Sequence, residues 1–192
     1  PDSTALEALR RIAHEASLIN MSSTAPFSGQ ENEVHSTAII GARVKIGEGN
    51  VIGAYAVITG DVSIGNNNWI GPHVVIGTPA QYATKKFELN GEEASGIHIG
   101  DRNVLREFTT VHQPSQRATT IEDDCYIMAY SHVSHDTTVR SSVVLANSVQ
   151  TGGFSEIQQF ANVGLASVLH QFTTIGAYAM IGMSTVVNKD IP

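Results

Sequence analysis

A six-residue period constrains this chain more than any other feature. Ile40, Ile46, Ile52, Ile58, Ile64, Ile70 and Ile76 recur at strict intervals of six, and glycine follows six of these seven, at Gly41, Gly47, Gly53, Gly65, Gly71 and Gly77. The frame breaks, resumes at Ile99, Leu105 and Val111, and shifts once more. It then runs through Ile121, Ile127, Val133, Val139, Leu145, Ile157, Val163, Leu169, Ile175, Ile181 and Val187, with Thr151 the one non-aliphatic occupant. A period of six fits neither a continuous helix nor a continuous strand, so each unit is a short strand plus a corner, with glycine and asparagine supplying unusual backbone angles. Three units close a triangular turn of eighteen residues, and turns stack at about 4.8 Å through main-chain hydrogen bonds. The periodic side chains then fill a narrow prism, each contributing roughly 1.5–3 kcal/mol relative to exposure. A β-sandwich would instead show a period of two and turn signals every 8–12 residues or so. The expected fold class is an all-β solenoid, a parallel β-helix of hexapeptide repeats.

Composition narrows the function. Eleven Lys and Arg against eighteen Asp and Glu give a net charge of −7, with no basic cluster, so a nucleic-acid partner is not expected. No apolar run approaches the roughly 18–20 residues that span a bilayer, and no signal-peptide pattern opens the chain. The lone Cys125 permits neither an internal disulfide nor a multi-cysteine metal site, which suits a reducing, cytoplasmic setting.

The 192 residues divide into residues 1–34, a helix and polar lead-in, and residues 35–192, the solenoid. DSTALEALRRIAHEASL carries Leu6, Leu9, Ile12 and Ala13 on one helical face, and Met21 could be a native start. The two frame shifts mark inserted loops near residues 78–96 and 113–120. Solenoid insertions form exposed loops that often build sites, and the first, with Lys85 and Lys86, is the better candidate for ligand contact.

Eight histidines stand out once the column is removed: His14, His35, His73, His98, His112, His132, His135 and His170. On a solenoid surface most histidines are solvated or stacked. The segment YSHVSHDTTV differs, because His132 and His135 flank the column residue Val133 and Asp136 follows His135 directly. An imidazole beside a carboxylate has its tautomer fixed and its basicity raised, which suits general-base work; the same pair can also be purely structural. Three histidines shared across a trimer could hold zinc, although the spacing of His132 and His135 is tighter than in hexapeptide-repeat carbonic anhydrases, and no metal is expected. Gly153 lies eighteen residues after His135, where its N–H could serve as an oxyanion donor or where the Gly152–Gly153 pair could simply form a corner. Gln171, thirty-six residues after His135, follows His170 on the same edge.

The segments IGDRNVLREFTTVHQ, MAYSHVSHDTTV, VLANSVQTGG and SVLHQFTTIGAYAMIG resemble the acyl-[acyl-carrier-protein]–UDP-N-acetylglucosamine O-acyltransferases, which open lipid A biosynthesis. The similarity runs from about His35 to Pro192. It implies a left-handed helix and a homotrimer with clefts between subunits. It also implies that His135 is the general base, Asp136 its orienting partner and Gly153 the oxyanion donor. His132 would line the sugar pocket, His170 and Gln171 would contact the sugar nucleotide or the donor, and Lys85 or Lys86 would hold a phosphate, Phe87 favouring Lys86. The acyl group would pass directly from an acyl-carrier-protein or coenzyme A thioester, with no cofactor and no role for Cys125 as nucleophile.

Departures from the pattern bear on the substrates. Phe154 stands in the sugar pocket where the family usually has a second histidine, and QYATKKF lacks the aspartate usual before the loop lysine. These leave room for an altered nucleotide sugar, including one acylated on an amine, although Asp136 and the short lead-in differ from the N-acylating relatives. Met183 stands where the family measures acyl length, which implies a shorter chain. The repeats stop at NKDIP, where the family continues into a helical domain, so the expectation is either a shortened chain or a short relative using coenzyme A. A catalytically silent trimeric β-helix that binds a nucleotide sugar is the reading from another class.

Overall fold

The computed structural model describes residues 31–81 and 96–192, so the helix expected within residues 1–20 and the lysines Lys85 and Lys86 lie outside the described residues. Within them are twenty-three short strands and no helix, hence none long and apolar enough to cross a membrane. The strands wind into a parallel β-helix whose three faces are sheets of eight, eight and seven strands. The first sheet runs from Glu33–Val34 to Met180–Ile181, the second from Ile39–Ile40 to Val186–Val187, and the third from Val44–Ile46 to Thr174–Ile175.

The expected register is present. Val57 pairs with Val75 and Gln150 with Val168, eighteen residues apart. Across the inserted loops the column stays paired, Ile76 with Val111 thirty-five residues on and Val111 with Val133 twenty-two on, with a register shift just after Val111. The aliphatic column is buried from Ile52 to Val187, whereas Ile40, with no rung below it among the described residues, is 38% exposed.

The corners differ from expectation. Among the described residues sixteen non-glycine residues adopt positive φ, at one position of nearly every corner, and only Asn67 among them is asparagine. The others include Tyr55, His73, Phe108 and Tyr130, which stack face to face at centroid separations of 5.1, 5.0 and 4.9 Å. Left-handed backbone costs a side-chain-bearing residue about 1 kcal/mol or more, and ring stacking returns a comparable amount. The periodic glycines serve close approach instead. A Cβ on Gly53 would lie 2.7 Å from the Pro72 nitrogen of the next rung.

Asn50, Asn68 and Asn103 form an interior ladder at the corner between the third and first sheets. Asn50 Oδ1 accepts from the N–H and Nδ2 of Asn68, and Asn68 Oδ1 accepts from the N–H of Asn103. Asn68 Nδ2 also donates to the Gly100 carbonyl, 2.9 Å away. Cys125 ends the ladder: its N–H donates to Asn103 Oδ1 and its thiol to the Arg140 carbonyl.

The outer faces are unequal. Outward positions on the first sheet carry Glu33, Val51, Trp69, Val104, Tyr126, Val144, Asn162 and Met180, and those on the second Ile39, Val57, Val75, Thr110, His132, Gln150, Val168 and Val186, apolar in the majority; those on the third carry Lys45, Ser63, His98, Thr120, Thr138, Glu156 and Thr174.

Replacing a mid-ladder residue strands buried backbone donors. Asn68→Ala is expected to lower unfolding free energy by about 2–4 kcal/mol, and Asn32→Ala at the exposed end, where Asn32 Oδ1 accepts from Asn50 N–H, by less, read by urea denaturation.

Candidate active site

One corner, between the second and third sheets, gathers the groups singled out in the sequence. His132 projects from the outer face of the second sheet beside buried Val133, and the chain then turns through Ser134, His135 and Asp136 into the third. His135 is 7% exposed and Asp136 fully buried, with His135 Nδ1 2.6 Å from Asp136 Oδ2. Asp136 takes the left-handed corner position, φ 60°, so two adjacent side chains turn toward each other at the bend.

The carboxylate is held by a cradle from the rung below. The second inserted loop passes over Asp136. Its oxygens accept from Ser115 N–H at 3.0 Å, Ser115 Oγ at 2.7 Å, Gln116 N–H at 2.7 Å and Arg117 N–H at 2.6 Å. Burial by itself would raise the pKa of this carboxyl; the bonds from His135, Ser115 and Gln116 outweigh it and hold it well below the usual carboxylate range. Asp136 is therefore a fixed anion, and it keeps the proton of the His135 tautomer on Nδ1, which puts the basic lone pair on Nε2.

From the rung above, Gly153 packs against the imidazole. A Cβ there would collide with Cε1 and lie 2.7 Å from Nε2 of His135, so only glycine leaves room for the ring. Its N–H donates no hydrogen bond among the described residues. Gly152 admits the backbone of Gln171 in the same way. Phe154 stands edge-on to His135 at 5.5 Å, with Phe172 stacked on it at 4.8 Å and the Arg117 guanidinium 5.8 Å from its ring centroid.

Two further imidazoles close the site. His112 is buried and edge-on to His132 at 4.5 Å, and its Nδ1 has no partner among the described residues. A register shift at Val111–His112, opposite Gly77, brings it inward. Burial, reinforced by His132 and His135, pushes the His112 pKa down to about 4, and burial and His135 lower that of His132. Thr110 Oγ1 lies 2.7 Å from His132 Nδ1. Thr151, the polar residue in the column, donates to the His132 carbonyl and accepts from Ser134 N–H.

His135, Asp136, Gly153, Phe154 and His132 are thus brought together, with His170 and Gln171 exposed one rung further along the same edge. Met183 is not among them: it is 75% exposed on the corner between the first and second sheets. Burial pushes the Cys125 thiol up to about 12, away from nucleophilic use. No group of three or more His, Cys, Asp or Glu among the described residues is placed to hold a metal ion. The sequence reading missed Ser115, Gln116 and Arg117, because it favoured the lysine-bearing loop. The signal was present: the shorter insertion falls one rung below HVSHD.

Fold and site together define a parallel β-helix of hexapeptide repeats with a histidine–carboxylate pair at one edge. No protein-family model matches the chain. It is 44% identical over 104 residues to the acyl-[acyl-carrier-protein]–UDP-N-acetylglucosamine O-acyltransferases of Burkholderia mallei and Burkholderia thailandensis; the match covers 53% of this chain and 40% of each relative. A crystal structure of a UDP-N-acetylglucosamine acyltransferase aligns with a TM-score of 0.66 at 31% identity, covering 83% of this chain and 66% of that one. The Campylobacter jejuni UDP-N-acetylglucosamine acyltransferase aligns at 0.72 with 28% identity, covering 84% and 67%. The chain is a homologue of these O-acyltransferases and shares their left-handed β-helix.

The buried titratable groups fix how stability depends on acid. Unfolded His112 takes up a proton near its ordinary pKa of 6.5, whereas the folded residue refuses it until about pH 4, so stability falls as pH is lowered through that window. Asp136, held below its ordinary 3.8, adds a loss that begins only under about pH 4. Thermal unfolding of His112→Gln against the parent should show a flatter decline between those values and parallel curves below them.

Proposed function

We propose that this chain is an acyltransferase moving an acyl group from an acyl-carrier-protein or coenzyme A thioester to a hydroxyl of UDP-N-acetylglucosamine or a related nucleotide sugar. The observation that carries this is the buried His135–Asp136 pair with the Gly153 backbone against its imidazole. His135 Nε2 takes the proton from the acceptor hydroxyl as its oxygen attacks the thioester carbon. The oxyanion of the tetrahedral adduct is met by the Gly153 N–H. Collapse expels the thiolate, which receives the proton from His135, leaving an ester, a free thiol and the enzyme unchanged. His132 and Phe154 border the acceptor, and His170 and Gln171 the outer edge of the groove. Lys85 or Lys86 supplies a phosphate contact, and Met183 limits acyl length from the rim that a neighbouring copy faces.

The assembly is a homotrimer in the cytoplasm. Supporting it, the outward residues of the first two sheets are apolar over most of their length, while those of the third are polar. A chain with two apolar faces meeting at a corner ringed by Tyr55, Phe108 and Tyr130 suits packing about a threefold axis. That leaves the His135 corner at a groove between copies.

Acyl release measured with candidate nucleotide sugars and both classes of donor tests the reading. His135→Ala should lose at least about 100-fold in kcat with acceptor KM little changed, and sedimentation should give three times the chain mass. No transfer with any pairing would favour a silent nucleotide-sugar-binding β-helix, and a sedimenting monomer would remove the intersubunit groove.

A further inference from the structure

The loop that cradles Asp136 is anchored at its start by Gln113, whose Nε2 donates to the Thr59 and Asp61 carbonyls, and across its middle by Arg117. Its ends join the coil through Gln113 N–H to the Thr78 carbonyl and through Thr119 Oγ1, which accepts from Asp136 N–H. Between these points Arg117 reaches upward. Its Nε donates to the Asp136 carbonyl at 2.8 Å, its Nη2 donates to the Phe154 carbonyl at 3.1 Å, and its plane lies 5.8 Å from the Phe154 ring centroid. The same residue's N–H supplies the shortest of the loop's bonds to the carboxylate, at 2.6 Å.

Those contacts span two successive rungs at left-handed corner residues, Asp136 and Phe154. Three consecutive amides and one hydroxyl converge on a single carboxylate, so a loop displaced by a few tenths of an ångström lengthens several bonds together. The planar guanidinium can grip two carbonyls and an aromatic face together, which a lysine ammonium cannot reproduce.

We infer that Arg117 is a positioning residue: by bridging the Asp136 and Phe154 corners it locks the inserted loop onto the Asp136 carboxylate and so fixes the orientation of His135. The inference rests on the transferase reading for its kinetic arm and on the geometry alone for its spectroscopic arm. It assigns Arg117 no contact with either substrate.

The test uses the full chain with Arg117→Ala and Arg117→Lys. If Arg117 positions the dyad, kcat falls roughly 10- to 100-fold in the alanine variant, KM for nucleotide sugar and thioester stays within about threefold, and lysine restores little. Independently of turnover, the low-field proton resonance of His135 Nδ1, assigned by its loss in His135→Ala, should move or broaden in both variants. A rise in KM at unchanged kcat would make Arg117 a substrate contact and overturn the inference, as would an unaltered imidazole resonance. Should Arg117→Ala fail to fold, the lysine variant carries both readouts. Absence of turnover in the parent would count against the transferase reading, while the resonance would still decide the role of Arg117.

Discussion

Everything in this molecule depends on rungs of equal length. Once the chain closes a triangle in eighteen residues, main-chain hydrogen bonding along the axis places each residue over its equivalent, and three consequences follow without further instruction. Aliphatic side chains stack in the prism, polar side chains such as Asn50 and Asn68 bond to their equivalents in the adjoining rungs and to nearby corner carbonyls, and corner residues share one backbone conformation. Stability in such an array is distributed, each rung supporting its neighbours.

The same regularity makes a site out of residues far apart in sequence. His135, Gly153 and Gln171 are ordinary corner residues, one per rung, and acquire chemistry only because the rungs are in phase. What the repeat does not provide is an acid-resistant anion. That comes from a break in the pattern: the loop at residues 113–118, too long for a corner, folds over Asp136 and gives its amide hydrogens to the carboxylate. Regularity aligns the groups and irregularity tunes them.

This division explains what was legible in the sequence. The column, the register, the frame shifts and the His135–Asp136 pair follow from counting, because a strict period converts sequence distance into spatial distance. Counting fails at insertions. The place of QPSQRATT one rung below HVSHD shows its neighbourhood but not that Ser115 and Arg117 bond to Asp136, and His112 is drawn inward by a register shift opposite Gly77 in the rung below. Conformational expectations also fell short: Tyr, Phe and His occupy corner angles usually left to glycine and asparagine, because stacking with the rung above compensates the strain. Met183, expected from the resemblance to gauge acyl length, sits on a different corner from His135.

The eighteen-residue register is directly measurable by thiol cross-linking on the second sheet, where Gln150 and Val168 are paired neighbours with outward side chains. With Cys125 buried and inert, the double variant Gln150→Cys with Val168→Cys should be joined rapidly within one chain by a short bifunctional thiol reagent, while Gln150→Cys with Asn162→Cys, which are on different faces, should not. Efficient joining of the offset pair, or none in the paired positions, would contradict the stacking on which the site rests.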